Sequence, residues 1–99
     1  MRIVAVFAAA LAAAPFCASA QDTAGRNLAA GCAICHGTDG RAATKDVIPL
    51  AGLPKDHIVT QMKAFRDGKR TATVMHQIAK GYTDVQIEQL AAWFAAQKR

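Results

Sequence analysis

Two cysteines and a histidine stand close together in the segment CAICHG, at residues 32–37. Two thiols separated by two residues suit three kinds of chemistry: a redox dithiol, half of a zinc site, or the covalent attachment of a haem. A histidine directly after the second cysteine favours the third. In that chemistry Cys32 and Cys35 add to the two vinyl groups of the porphyrin, and His36 becomes the proximal ligand of the iron.

The two alternatives have weaker support in the surrounding sequence. A thioredoxin-like dithiol follows a β-strand, and residues 25–31 do not have the pattern of one. A structural zinc site needs four ligands, and His57 and His76, which would have to complete it, lack finger-like spacing. The motif therefore predicts a single covalent haem c, with the dithiol and zinc sites left open as alternatives.

The start of the chain has the layout of a secretory signal peptide. Arg2 supplies a positive charge, residues 3–14 form an uninterrupted apolar run, and an A-x-A cleavage site ends at Ala20. Twelve helical residues span only about 18 Å, well short of the ~30 Å hydrocarbon core of a bilayer. We therefore expect residues 1–20 to be cleaved, leaving residues 21–99 as one periplasmic domain without membrane insertion.

The hydrophobic pattern of this domain is helical throughout and predicts an all-α fold. Asp22 or Thr23 is placed to cap a first helix that ends near Cys35. Pro54 and Gly68 mark the start and end of a second helix. A loop of residues 37–52 separates the two, and loops of this length are uncommon unless they carry function.

Two further helices are predicted in the last third of the chain. A short one covers residues 73–80 and stops at Gly81. Thr83 and Gln86 have the spacing of a capping box, so the last helix begins there and runs almost to the end of the chain.

The iron of such a haem needs a second axial ligand, for which Met62, Met75, His57 and His76 are the candidates. Met62 lies in the apolar stripe of the second helix and is expected to fill the core, while His57 is expected to be solvated. Met75 follows a polar segment and lies 39 residues after His36, enough chain to reach the other face of a haem. We favour Met75, which would raise the reduction potential, over His76, which would lower it.

The net charge of the chain bears on its partners. Its 99 residues include 12 Lys and Arg against 7 Asp and Glu, a formal net charge of +5. Four of the basic residues recur on and after the second helix: Lys63, Arg66, Lys69 and Arg70. They are typical of a solvated helix face and would also serve as a docking rim for an acidic partner. Export and the small number of aromatic residues argue against nucleic-acid binding.

The segments AAGCAICHGTDG, IPLAGLP, FRDGKR, TVMHQIAKGYTD and IEQLAAWFA resemble those of the small class I c-type cytochromes. The resemblance covers residues 21–99 and implies about four helices wrapped around one covalently bound haem. It implies that the first and last helices cross, which would pair Gly25 and Leu28 with Leu90 and Trp93.

The same resemblance bears on the ligands of the iron. It implies that the backbone carbonyl of Pro49 accepts a hydrogen bond from His36, which would fix the imidazole and raise its basicity. It also supports Met75 as the distal ligand.

The run FRDGKRTATVMHQIAKGYTD is similar to the cytochrome subunit of flavocytochrome c sulfide dehydrogenase, a family that pairs a haem subunit with a sulfide-oxidising flavoprotein. The resemblance implies that electrons pass singly from a flavoprotein subunit to the haem, then to a downstream soluble cytochrome or oxidase. A free shuttle between periplasmic or membrane redox enzymes is the alternative, and a gas- or peroxide-reactive haem protein is a third. In the first two both axial positions are filled, so we expect an electron carrier without catalytic residues.

Overall fold

A computed structural model describes residues 5, 8–12 and 17–99 of the chain. These residues form five α-helices and one short 3₁₀-helix, without a β-strand, which confirms the expected all-α fold. The order is α1 (Cys17–Ala30), α2 (Ala33–His36), the 3₁₀-helix (Thr38–Gly40), α3 (Lys55–Arg66), α4 (Met75–Ala79) and α5 (Asp84–Ala95). Half of the signal peptide predicted for residues 1–20 lies outside the described residues, namely 1–4, 6–7 and 13–16. Within the described ranges, no helix has both the length and the apolar character needed to cross a membrane.

The first helix differs from its prediction at both ends. It begins at Cys17, so Asp22 and Thr23 lie inside it and do not cap it. A turn at residues 31–32 then separates it from α2, where the sequence had suggested one helix reaching Cys35. Glycine at position 31 is a poor helix former, because it loses more backbone entropy on ordering than other residues. The haem-motif residues are therefore carried by a separate short turn.

The last helix begins where the sequence predicted. The hydroxyl oxygen of Thr83 accepts from the backbone N–H of Gln86 at 3.2 Å, and the Gln86 side-chain oxygen accepts from the Thr83 N–H at 2.9 Å. This reciprocal pair is the predicted capping box. It fixes the start of α5, the helix that supplies half of the buried core cluster: Ile87, Leu90, Ala91 and Phe94.

The first and last helices pack closely, as the resemblance implied. A Cβ atom placed on Gly25 would lie 2.7 Å from the backbone oxygen of Gln89 and 3.0 Å from Cβ of Trp93. Only a residue without a side chain permits this approach of α1 to α5. The buried apolar core lies between α1, α3, α4 and α5 and contains Ala29, Ile58, Met62, Ala79, Ile87, Leu90, Ala91 and Phe94.

The long loop between the 3₁₀-helix and α3 is tied down at its base. The backbone N–H groups of Leu50 and Ala51 both donate to the carbonyl of Gly40, at 2.8 and 3.1 Å. The N–H of Gly52 donates to the carbonyl of Phe94 at 2.9 Å. These bonds hold residues 50–52, at the end of the loop, against the 3₁₀-helix and α5. Ile48, just before them, consequently lies beside His36 of α2.

Candidate haem-binding site

The short helix α2 brings the three motif residues within one turn. The N–H groups of Cys35 and His36 both donate to the carbonyl of Cys32, at 3.3 and 2.9 Å. Both cysteines are free thiols, Cys32 partly buried and Cys35 exposed. Burial raises the pKa of the Cys32 thiol above its ordinary value, because a low dielectric disfavours the thiolate. The arrangement offers two separate sulfur atoms and one imidazole on a single turn.

The imidazole of His36 is oriented by the long loop. Its Nδ1 atom lies 2.7 Å from the backbone oxygen of Ile48. A carbonyl oxygen only accepts, so Nδ1 carries the hydrogen, and in the neutral imidazole Nε2 then has the lone pair. This is the tautomer that a metal-ligating histidine requires when Nε2 binds the metal.

The acceptor for His36 differs from the one that the resemblance implied. That role was expected for the carbonyl of Pro49, whereas the structure gives it to Ile48. Proline has no N–H, so the peptide group between the two residues has an acceptor and no donor. Proline also holds the preceding residue in an extended conformation. Pro49 therefore acts on the residue before it, and the expectation was wrong by one position.

Met75 is the first residue of α4 and is partly buried. Its side chain packs against the core cluster, as does that of Cys32. Met62 is only 6% exposed and belongs to the core, as its place in the apolar stripe predicted. His57 is exposed at the start of α3. Of the four distal candidates, Met75 and its neighbour on α4 therefore remain.

That neighbour, His76, is partly buried. Its Nδ1 atom is buried and has no hydrogen-bond partner within the part of the chain that the structure describes. A buried nitrogen without a partner is costly, so His76 remains the alternative to Met75 as the distal ligand.

Apolar side chains next to the candidate ligands are unusually exposed. Ile48, beside His36 in space, is 59% exposed, and Val74 and Ile78, on either side of Met75, are 48% and 39% exposed. A porphyrin is a large apolar body that would cover such side chains. Together with two free thiols and an imidazole in the correct tautomer, these residues fit a covalently attached haem.

The two alternative uses of the motif fit the structure less well. The residues before Cys32 form helix α1 rather than the strand that a thioredoxin-like dithiol follows. Among the described residues, no three His, Cys, Asp or Glu side chains are gathered as a metal-binding group. A zinc site built from the motif and from His57 or His76 would require such a gathering.

The helical order and this site define a class of protein, and comparison with known sequences identifies it. The chain is 40% identical to the cytochrome subunit of sulfide dehydrogenase from Chlorobaculum tepidum, over 84% of this chain and 74% of that protein. It is 33% identical to cytochrome c-554(548) of Halomonas halodenitrificans, over 76% of this chain and 94% of that protein. The chain therefore belongs to the family of c-type cytochromes, which carry electrons on haem c. No protein-family model matches it.

Other relatives are much longer than this chain. Cytochrome c4 of Pseudomonas aeruginosa is 36% identical over 82% of the chain, and the match covers only 40% of that protein. The chain thus spans about two-fifths of the length of this relative.

Solved structures agree with the fold. Cytochrome c4 of Acidithiobacillus ferrooxidans superposes with a TM-score of 0.60 and 39% identity, over 66% of this chain and 37% of that one. A thiosulfate dehydrogenase from Marichromatium purpuratum gives a TM-score of 0.69 and 33% identity, over 78% and 19%. The expected class I cytochrome c fold is confirmed, and the role of electron carrier follows from the family.

Proposed function

We propose that the chain is a periplasmic cytochrome that carries one electron at a time on a single covalent haem. Cys32 and Cys35 would form the two thioether bonds, with Nε2 of His36 and the sulfur of Met75 as axial ligands. The observation that carries this proposal is the 2.7 Å contact between Nδ1 of His36 and the Ile48 carbonyl, because it leaves the lone pair of Nε2 available to bind the iron. Export rests on the signal-like layout of residues 1–20.

The residues of the chain have distinct tasks in this proposal. Bound haem supplies a reversible one-electron iron couple. The Ile48 carbonyl holds the imidazole of His36 and raises its basicity. A thioether from Met75 raises the reduction potential relative to a second histidine. With His36 and Met75 both holding the iron, no substrate would reach it, and electron transfer would require no acid or base from the protein.

The partner that we propose is a flavoprotein. The basis is the 40% identity with a cytochrome subunit of sulfide dehydrogenase, in a match that covers 74% of that subunit. In this role the domain would accept electrons from the flavin and pass them to a downstream soluble cytochrome or oxidase. A free diffusible shuttle is the second candidate, favoured by the match to 94% of cytochrome c-554(548).

The haem proposal is tested by expressing the full chain together with haem-attachment machinery. We expect a Soret band from the purified protein, and haem that stays with the polypeptide after denaturation. Cys32→Ser with Cys35→Ser is the matched control, which should lose covalent haem. Absence of a Soret band from the unaltered chain would contradict the proposal.

The partner is tested by purifying the tagged protein from cells that contain its natural partners. A stable complex with flavin and haem in a fixed ratio is the expected result. Recovery of the haem protein alone, with full electron-carrying capacity, would contradict the subunit role and support the shuttle.

A further inference from the structure

Most of the net positive charge of the chain lies in one segment, on and after α3. Residues 63–80 contain five Lys and Arg and one Asp, so this segment carries four of the five net positive charges of the chain. Uneven charge of this kind steers the approach of an oppositely charged partner. Such a partner would meet the cations that no carboxylate of the chain itself compensates.

One of the cations, Arg66, is compensated within the fold. Nη1 of Arg66 lies 2.5 Å from a carboxylate oxygen of Asp84, and its Nε lies 3.4 Å from one of Asp67. The pKa of Asp84 is lowered by its hydrogen bond with Arg66, by the Arg66 charge and by that of Lys63. Arg66 is therefore paired with two carboxylates of its own chain, whereas Lys63 acts on Asp84 only through its charge.

Lys69 and Arg70 are placed differently, by the way in which α3 ends. Gly68 has a φ of +72°, a left-handed conformation that glycine adopts without strain. The chain then turns back, and the N–H groups of Lys69 and Arg70 both donate to the carbonyl of Ala64, at 2.9 and 3.2 Å. Two exposed cations are thus held at the end of the helix by their backbone.

The side chain of Arg70 is itself fixed. Its guanidinium carbon lies 4.7 Å from the centroid of the Phe65 ring, and its Nη1 donates to the side-chain oxygen of Gln61. Phe65 is anchored in turn, because it packs against the core. Within the described residues no ion pair forms at Arg70 or Lys69.

A guanidinium held in this way suits a carboxylate. A guanidinium that stacks on an aromatic ring keeps the N–H groups along its edge available. A carboxylate binds these N–H groups with two parallel hydrogen bonds. Because the side chain is already ordered, less conformational entropy is lost on binding. Arginines with these properties are common binding hot spots.

We propose that Arg70 is the anchor by which this domain docks on an acidic protein surface, with Lys69 as a supporting charge. The inference rests on the proposed function, since the docked protein would be the electron donor or acceptor. Arg70 stands five residues before Met75, and half-exposed Val74 lies between them. A partner held at Arg70 would therefore cover the segment that leads to the proposed distal ligand.

The test is a binding measurement on the haem-loaded protein, using a decaglutamate peptide as a mimic of an acidic surface. The isotope-labelled protein is titrated at low salt, and the affinity is taken from NMR shift changes. We expect the shifts to centre on the segment around Arg70. Arg70→Gln should weaken binding about tenfold, the lower end of what a hydrogen bond to a charged group contributes.

Three further variants separate the anchor from general charge. Arg26→Gln removes one exposed cation from α1 and should weaken binding less than twofold. Gln61→Ala keeps the net charge but releases the Arg70 side chain, and should weaken binding about threefold through the added cost of ordering it. Arg70→Lys, which loses the planar fork, should bind more weakly than the unaltered protein.

The proposal is overturned if Arg26→Gln and Arg70→Gln weaken binding equally. It is also overturned if Gln61→Ala and Arg70→Lys both bind like the unaltered protein, or if phosphatidylglycerol vesicles bind through Arg70 more tightly than the peptide does. The visible spectrum of each variant is recorded in parallel. Missing haem absorption would count against the proposed function, whereas intact absorption with unchanged binding would count against the anchor alone.

Discussion

Nδ1 of His36 lies 2.7 Å from the backbone oxygen of Ile48, although the two residues are twelve positions apart. The contact joins the attachment motif to the long loop, whose base is held by the carbonyls of Gly40 and Phe94. The orientation of the imidazole therefore depends on a loop whose own position depends on α5.

The first prediction concerns Pro49, which restricts the backbone of Ile48. Pro49→Ala should loosen the loop, weaken the hydrogen bond to His36 and make the imidazole less electron-rich. We expect the reduction potential to rise, by less than the 59 mV that a tenfold change in a one-electron equilibrium gives. Spectroelectrochemical titration measures this. Thr44→Ala, at an exposed position of the same loop, is the control and should leave the potential unchanged; a fall after Pro49→Ala would contradict the argument.

The second prediction concerns the distal ligand. Met75→Ala should abolish the near-infrared band of thioether-ligated iron and lower the reduction potential, because it removes the sulfur that favours the reduced state. Met62→Leu is the matched control, since Met62 is buried in the core. It should keep the spectrum and cost less than about 1.5 kcal/mol in unfolding free energy. If His76→Ala changes the spectrum and Met75→Ala does not, the ligand is His76.

The third prediction tests the contact between α1 and α5. Gly25→Ala would place a Cβ atom 2.7 Å from the backbone oxygen of Gln89, so the helices must separate. We expect a loss of about 1–3 kcal/mol in unfolding free energy, measured by denaturant titration of the haem-loaded protein. Gly31→Ala is the control, because the nearest atom to its added Cβ is the Tyr82 hydroxyl oxygen at 3.7 Å. Equal losses for the two variants would disprove the role of close packing at Gly25.

The fourth prediction follows from the surface pair of Asp84 and Arg66. The pKa of the Asp84 carboxyl is lowered, chiefly by its hydrogen bond with Arg66. A lowered pKa in the folded state adds stability above the ordinary carboxyl value of about 3.9, and this stability is lost as the pH falls through the lower, folded value. Asp84→Asn should therefore melt at a slightly lower temperature at pH 6, and the difference should vanish in strong acid.

A double-mutant cycle checks that the effect belongs to the pair. Arg66→Gln should lower the melting temperature as Asp84→Asn does, and combining the two should add little. The pair is exposed, so the effect is small. Simple addition of the two losses would show that the residues act independently.

Local features of this fold were readable from the sequence. The spacing of Cys32, Cys35 and His36 favoured haem attachment over a dithiol or a zinc site, and the three residues do lie within a single turn. The capping box of Thr83 and Gln86 and the helix end at Gly68 were likewise predictable. Each depends on hydrogen bonds or backbone torsions within about four residues, and such interactions leave their pattern in neighbouring positions of the chain.

Two local expectations about the first helix failed. Asp22 and Thr23 have good capping side chains, yet α1 continues through them to Cys17. Gly31 interrupts the helix that was expected to reach Cys35. In the first case context overrides propensity, since a cap works only if the chain before it leaves the helix. In the second case the low helix propensity of glycine ends the helix earlier than expected.

The tertiary structure supplied the relationships between distant segments. It assigned the acceptor for His36 to Ile48, and it paired Arg66 with Asp84, eighteen positions later. That second pairing separates Arg66 from Arg70, although the two arginines look alike in the sequence. The reason is physical: the charge that a partner meets depends on which opposite charges the fold brings near, and a linear pattern does not record those distances.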